Sequence, residues 1–217
     1  MRLCEIKTQV PDEYKNFNIT DMIGDPIVIE PIKQTVNEYL KNLLVNEKNG
    51  AGLLFYGISN GTGKTELSYY VLAKAQEARV KWDRLGQKES VGYSKITAIR
   101  CFDYLKYCGN FEVYFVAMVQ EIKTSPFLLL DELSPGAFRN NMAAGQEELA
   151  SLVDYRVSFN LPTIYTSNCE NLEVLKKLVG STLYSRIAYK AIPVNFTGPD
   201  VRPLITEQLK EELSNNE

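Results

Sequence analysis

The sequence of 217 residues has no histidine and few cysteines, and it has no long apolar run. Without histidine there can be no histidine triad, histidine zinc ligand or histidine general base. Catalysis would therefore depend on carboxylates, Lys, Arg, Ser, Thr or Cys. The four cysteines form no C-x2-C pair, which argues against a zinc site and a disulfide framework, so we expect reduced thiols at Cys4, Cys101, Cys108 and Cys169.

Charge is also in short supply. The 24 basic and 27 acidic side chains leave a net charge of −3, so no global basic field attracts nucleic acid, and DNA binding would need a local patch. The N-terminus has no basic-then-apolar signal pattern, and no apolar run reaches the roughly 20 residues of a membrane span. These observations favour a cytoplasmic protein with one main domain.

Apolar periodicity predicts an alternation of strands and helices. We expect strands near 52–57, 95–101, 127–130, 163–166 and 192–196, and helices near 31–46, 64–80, 102–108, 111–122, 145–159 and 171–179. Pattern alone leaves 111–122 open between strand and helix, and we favour helix because a strand follows at once. A solvated loop is expected at 81–93 and a frayed polar end after Gln208. Such alternation predicts a parallel α/β sheet with a crevice at the carboxyl ends of its strands.

A glycine-rich segment, GISNGTGKT, links the first predicted strand to the next helix at residues 57–65. Glycines let the backbone approach an anion, and the following helix presents unpaired N–H groups. Lys64 can reach the β- and γ-phosphates of ATP, and the Thr65 hydroxyl can bind Mg²⁺. The predicted nucleotide-binding residues are Asn60, Gly61, Thr62, Gly63, Lys64, Thr65 and Glu66.

This phosphate loop departs from the usual pattern at its start. The first glycine would be expected at position 58, which is Ile58, and it stands instead at Gly57. The loop is thus one residue longer than usual, whereas its G-T-G-K-T end is intact.

Two later strands end in polar residues suited to ATP hydrolysis. In LLLDE, Asp131 would hold Mg²⁺ and Glu132 would polarise the attacking water as general base. In TIYTSN, Asn168 is the candidate that senses the γ-phosphate. The bland alternatives are a strand end with solvated acids and a turn asparagine.

Two arginines are candidates for a cation that completes the site. Arg186 lies in YSRI, beyond the last clear helix, and could be a finger supplied to a neighbouring subunit. Arg156 ends the helix predicted from 145. It could face a subunit interface or simply be a cation at a helix C-terminus.

Together these segments resemble the DnaC/DnaI helicase-loader family of AAA+ ATPases, with the IstB transposition helpers as relatives. The resemblance covers about residues 10–205 and rests on VPDEYKNFNITD, the phosphate loop, LLLDEL, DYRVSFNLPTIYTSN, LYSRI and NFTGPDVR in the family's order. It implies an AAA+ P-loop fold with a minimal lid. It also implies that Arg186 falls on the family's trans-acting finger and that Arg202 falls on the terminal arginine of the family's last strand segment. Pro11 to Phe17 lies where related motors line the adenine pocket.

The resemblance divides the chain into a strap at 1–22, an ATPase core at 23–205 and a polar tail at 206–217. Loaders usually carry a separate N-terminal domain that binds the helicase, and we expect it to be missing here. The compact motor hints at a phage or mobile-element origin.

We therefore expect an ATP- and Mg²⁺-dependent loader in DNA replication: a homo-oligomer that hydrolyses ATP slowly at subunit interfaces. Single-stranded DNA is an expected partner, and Lys176 and Lys177 are candidate contacts for it. A replicative helicase is a further candidate partner. The alternative is an IstB-like nucleotide switch that delivers a transposase or other partner on DNA. A small-molecule P-loop kinase is disfavoured by the contexts of Glu132 and Asn168.

Overall fold

A computed structural model describes residues 11, 14–84, 97–110, 112–138 and 142–214. In this part of the chain the strands are β1 Gly52–Tyr56, β2 Thr97–Arg100, β3 Leu128–Asp131, β4 Thr163–Ser167 and β5 Ala191–Asn195. The helices are α1 Pro26–Lys41, α2 Leu43–Asn49, α3 Lys64–Arg84, α4 Cys101–Cys108, α5 Val113–Thr124, α6 Met142–Ser158, α7 Leu172–Val179, α8 Ser181–Lys190 and α9 Arg202–Ser214. None of these helices is long and apolar enough to cross a membrane.

The strands form one parallel sheet in the order β2-β3-β4-β1-β5. This arrangement confirms the predicted α/β fold. Because β4 lies between β1 and β3, the polar residues that end β4 lie between the phosphate loop and the acidic end of β3. All five strands run in the same direction, so their carboxyl ends meet at one edge.

Alternating side chains of the central strands build two cores, one on each face of the sheet. Leu54 of β1 packs with helices α4 to α8, whereas its neighbours Leu53 and Phe55 pack with α1 and α3. The period of two explains why a short run such as GLLFY is apolar throughout: both faces of the sheet are covered.

The helix at the N-terminal side begins earlier than its apolar pattern predicts and is broken once. Asp25 caps α1 with its carboxylate, which accepts from the N–H of Ile27, and Pro26 occupies the first turn. The predicted single helix is interrupted at Asn42, after which α2 continues to Asn49. The sequence contained this signal, an Asp-Pro pair ahead of an apolar repeat.

Three other expectations about local structure need correction. YSRI is not beyond the last helix but within α8, which Gly180, at φ 84°, separates from α7. Buried Leu183 and Ile187, four residues apart, are the helical signal that was missed. The expected polar tail is helical as α9 up to Ser214, and α3 continues through Arg84. The rest of the loop expected at 81–93 lies outside the described residues.

Candidate nucleotide site

A cavity of about 520 Å³ opens at the carboxyl edge of the sheet. It lies above the junction of β1, the phosphate loop and α3. Every predicted nucleotide-binding residue lines it, together with Asp131, Glu132 and Asn168. The structure thus brings together all predicted site residues except Arg186. The cavity is also lined by Tyr14, which belongs to the segment expected near the adenine pocket, and by Thr166 and Arg202, which had no predicted role in the site.

The phosphate loop accommodates its additional residue by turning Ile58 outwards, where 64% of the side chain is exposed. At the G-T-G-K-T end of the loop, the first glycine is required by its backbone conformation and by a close contact. Gly61 has φ 66°, and a Cβ there would overlap the Asp200 carboxylate. Its carbonyl accepts from the N–H of Val201 at 3.1 Å, so the segment leading into α9 packs directly on the loop.

Lys64 is buried inside this loop. Its Nζ donates to the carbonyl oxygens of Gly57 at 3.1 Å and Ser59 at 2.7 Å, and to Thr62 Oγ1 at 3.2 Å. Burial, with a smaller contribution from the positive charge of Arg202, lowers the pKa of Lys64 to about 8, against an opposing effect of Asp131. The ammonium is thus held at the cavity, at a cost that an approaching phosphate would offset.

Asp131 and Thr65 place hard oxygen donors side by side. Thr65 Oγ1 donates to Asp131 Oδ1 at 3.2 Å, and Thr166 Oγ1 donates to the same carboxylate oxygen at 2.5 Å. Mg²⁺ binds such carboxylate and hydroxyl oxygens together with substrate phosphates. These residues therefore fit a magnesium ion, which when bound would neutralise charge on the transferred phosphoryl group.

Glu132 has an unusual backbone conformation, with φ 63° in the left-handed region that side chains rarely occupy. Its N–H donates to Thr166 Oγ1 at 2.8 Å, and the next residue, Leu133, donates its N–H to the Thr166 carbonyl at 2.8 Å. These bonds hold the turn, which leaves the Glu132 side chain exposed at the cavity. Backbone strain of this kind persists where neighbouring structure enforces it, often at functional sites.

Two arginines near the cavity were not predicted as site residues. Arg202 begins α9, where its N–H is capped by the Asp200 carboxylate at 2.9 Å and its Nη1 lies 4.0 Å from the same carboxylate. Arg100 ends β2 beside Asp131, and its Nε donates to Asp103 at 2.8 Å, which raises the Arg100 pKa. No pattern in the sequence predicts a role at the site for either residue, because β2 brings Arg100 to this edge and the packing of α9 on the phosphate loop brings Arg202 there.

The two arginines that had been considered as fingers have different environments. Arg186 does not line the cavity, and its side chain, 36% exposed, forms an ion pair with Asp154. Arg156 is 1% exposed and cannot face a subunit interface. It is not a simple cation at a helix end either, because its guanidinium donates to Thr163 Oγ1 and to the carbonyls of Pro162, Ile122, Lys123 and Ser125.

The strap residues reach the site only in part. Tyr14 lines the cavity and stacks on Tyr69, with ring centroids 5.1 Å apart. Phe17 packs edge-on against Tyr70 and belongs to the core beneath α3. Residues 1–10, 12 and 13 lie outside the described part of the chain.

Similarity to solved structures agrees with this geometry. A crystal structure of the DnaC helicase loader matches 86% of this chain and 99% of its own, with TM-score 0.67 and 19% identity. A crystal structure of DnaI matches 88% of this chain and 94% of its own, with TM-score 0.65 and 19% identity. The chain therefore has the fold of these DnaC and DnaI structures.

The fold is also similar to that of a replication initiator. DnaA bound to AMPPCP and single-stranded DNA matches over 84% of this chain and 49% of its own, with TM-score 0.57 and 20% identity. No protein-family model and no curated protein sequence matches the chain. The similarity therefore establishes the fold, and the roles of the site residues stay predictions.

Proposed function

We propose that this AAA+ protein is an ATPase that acts as a helicase loader in DNA replication and hydrolyses ATP at interfaces between its own subunits. The observation that carries the proposal is the cavity at the carboxyl edge of the sheet. It gathers a phosphate loop with its lysine, two oxygen donors for Mg²⁺, an acid and an amide on three parallel strands. That set suits phosphoryl transfer to water.

In the proposed mechanism, the phosphate loop and Lys64 would bind the phosphates, and Thr65 and Asp131 would hold Mg²⁺. Glu132 takes a proton from the attacking water, and Asn168 senses the γ-phosphate from the neighbouring strand. Arg202 lies in the same cavity and is placed to contact a phosphate from within the chain. A cation at such a position stabilises a transition state that builds negative charge.

Arg186 is the proposed finger for the neighbouring subunit's site. Its place on α8, away from the cavity of its own chain, supports this role, as does its partial exposure. A finger supplied by a neighbour increases phosphoryl transfer by roughly 10³–10⁵-fold. A single subunit would therefore be nearly inactive, and specific activity should rise with protein concentration.

Mixing two inactive variants tests this assembly. Lys64→Ala keeps the finger but lacks the nucleotide site, and Arg186→Ala keeps the site but lacks the finger. In an equimolar mixture of head-to-tail assemblies, roughly a quarter of the interfaces combine the two intact parts, so part of the activity should return. A mixture as inactive as its components, although both variants assemble, would show that Arg186 does not act in trans.

Binding of single-stranded DNA is the part of the proposal that rests most on similarity, since the DnaA structure holds single-stranded DNA. With a net charge of −3, binding should be modest and salt-sensitive. Lys177 on α7 is exposed and Lys176 is half-buried, so Lys177 is the better candidate contact.

Fluorescence anisotropy at low salt with ATP, followed by ATPase assays with single-stranded and duplex DNA, tests this part. Stimulation by single strands supports a loader, whereas stimulation by duplex favours the IstB-like adaptor. Absence of single-strand binding would remove the loader proposal's main support, and phosphate transfer to a metabolite would replace it with a kinase.

A further inference from the structure

The ion pair between Arg186 and Asp154 joins helix α8 to helix α6 at the surface of the protein. Both side chains keep a large part of their surface in water, with exposed fractions of 36% and 45%. Ion pairs exposed to this degree contribute little to stability, because water already solvates both charges. Stability is thus a weak reason for placing a carboxylate opposite this arginine.

The hydrogen bonds of the guanidinium show which of its edges are used within the chain. Arg186 Nε contacts Asp154 Oδ1, and Arg186 Nη1 donates to the Thr182 carbonyl at 3.2 Å. Among the described residues no hydrogen bond to Nη2 is found. The fork is therefore held along one side and presents its outer edge, two N–H groups on Nη2, away from the contacts within the chain.

Both halves of the pair stand on well-packed helices. Asp154 follows buried Val153 on α6, and Arg186 precedes buried Ile187 on α8, and both apolar side chains belong to the same core. The two charged side chains are thus attached to elements that cannot move apart without opening that core.

We propose that Asp154 is a positioning residue for Arg186: it holds the guanidinium with its outer edge directed at the nucleotide site of a neighbouring subunit. This inference rests on the proposed trans-acting role of Arg186. A long, free arginine loses side-chain freedom when it docks on a phosphate, and prior alignment by Asp154 reduces that loss.

The test inserts Asp154→Ala into each partner of the mixing experiment. In the Lys64→Ala subunit, which donates the finger, it should lower the recovered turnover number about three- to tenfold and leave the KM for ATP unchanged. In the Arg186→Ala subunit, which donates only the nucleotide site, it should change nothing, because no finger remains to be aligned. Asp154→Glu in the finger-donating subunit should restore part of the loss.

The asymmetry between the two arms separates alignment from structural damage. Equal loss in both arms would mean that Asp154 merely supports α6, and no loss in either arm would mean that Arg186 needs no alignment. A gain in the finger-donating arm would mean that Asp154 restrains the finger instead of aligning it. Each of these results overturns the proposal. If the parent variants do not complement each other, the trans-acting role fails first, independently of Asp154.

Discussion

A buried cation lies at each end of the parallel sheet, and the surroundings of the two cations differ. At the amino end, Arg156 is fully buried and donates to five oxygen atoms around the starts of β3 and β4. At the carboxyl end, Lys64 is also buried but donates to the loop that surrounds an open cavity of about 520 Å³.

The two cations differ in what compensates for their burial. Burial lowers the pKa of Arg156 to about 10 and that of Lys64 to about 8, so both cations are desolvated. Arg156 is compensated by permanent partners in the fold, whereas Lys64 faces a space that a phosphate could fill. We infer that the amino end holds the strands together and that the carboxyl end is reserved for a ligand. Four predictions test this contrast.

Replacement of Glu132 by Gln should have the largest effect and should be confined to the carboxyl end. The amide has the size of the acid but cannot act as a base, so turnover should fall about 10²–10⁴-fold while ATP binding persists. Steady-state turnover and a nucleotide titration measure the two quantities. The exposed Glu173→Gln on α7 is the matched control. Undiminished turnover would assign the base to another residue.

Replacement of Arg156 by Met should act on stability instead. Several buried oxygen acceptors would lose their donor, which should lower the free energy of unfolding by about 3–5 kcal/mol. Urea unfolding measures this, and turnover per folded molecule should be unchanged. Arg186→Ala is the comparison, since loss of an exposed ion pair should cost at most about 1 kcal/mol. Similar losses in the two variants would contradict the contrast drawn here.

The pKa of Lys64 predicts how nucleotide affinity depends on pH. Between pH 7 and pH 9 most lysines with a pKa of about 8 lose their proton, so the Kd for ATP should increase about tenfold. Binding favours the charged form and should therefore take up protons. Folding favours the neutral form, because the folded-state pKa of about 8 is below the ordinary 10.5. The contribution of Lys64 to stability therefore rises with pH between these two pKa values.

Titration of ATP binding at several pH values checks this, with Lys64→Arg as the control that stays charged throughout. If the affinity of that variant changes with pH as much as that of the unmodified protein, Lys64 is not the titrating group.

Replacement of Thr166 by Val should have the smallest effect. The hydroxyl accepts from the Glu132 N–H and donates to Asp131, so its loss should cost about 1 kcal/mol of stability and disturb both acids. Thr166→Ser keeps the hydroxyl and should retain activity. Urea unfolding and turnover of the two variants decide the matter, and equal behaviour would show that this hydroxyl is dispensable.

Much of the fold was readable from local patterns. Buried strands such as GLLFY are short apolar runs between breakers, and 113–124 is helical as its position before a strand suggested. The errors occurred where the signal is short or polar. Helix α8 carries only two buried residues, Leu183 and Ile187, and α9 has little apolar periodicity to reveal it.

The candidate site was predicted to the extent that its residues form continuous motifs. GTGKT, LLLDE and TSN each predict an oxygen, a cation or an amide at a strand end, and the parallel sheet brings these groups to one cavity. Thr166 lies within TSN and Arg202 ends NFTGPDVR, but neither had a predicted role in the site, and Arg100 belongs to no motif. They reach the cavity's edge because of strand order and because α9 packs on the phosphate loop.

By itself, the sequence determined where the strands end and which polar groups stand there, because the pattern of apolar side chains and the positions of glycines are local properties. Only the tertiary structure decided where each arginine lies and which oxygens it contacts. A guanidinium's role depends on burial and on the oxygens around it, and those come from distant parts of the chain. That is why Arg156, a plausible interface residue in the sequence, lies in the core, while Arg186 is held by Asp154 at the surface.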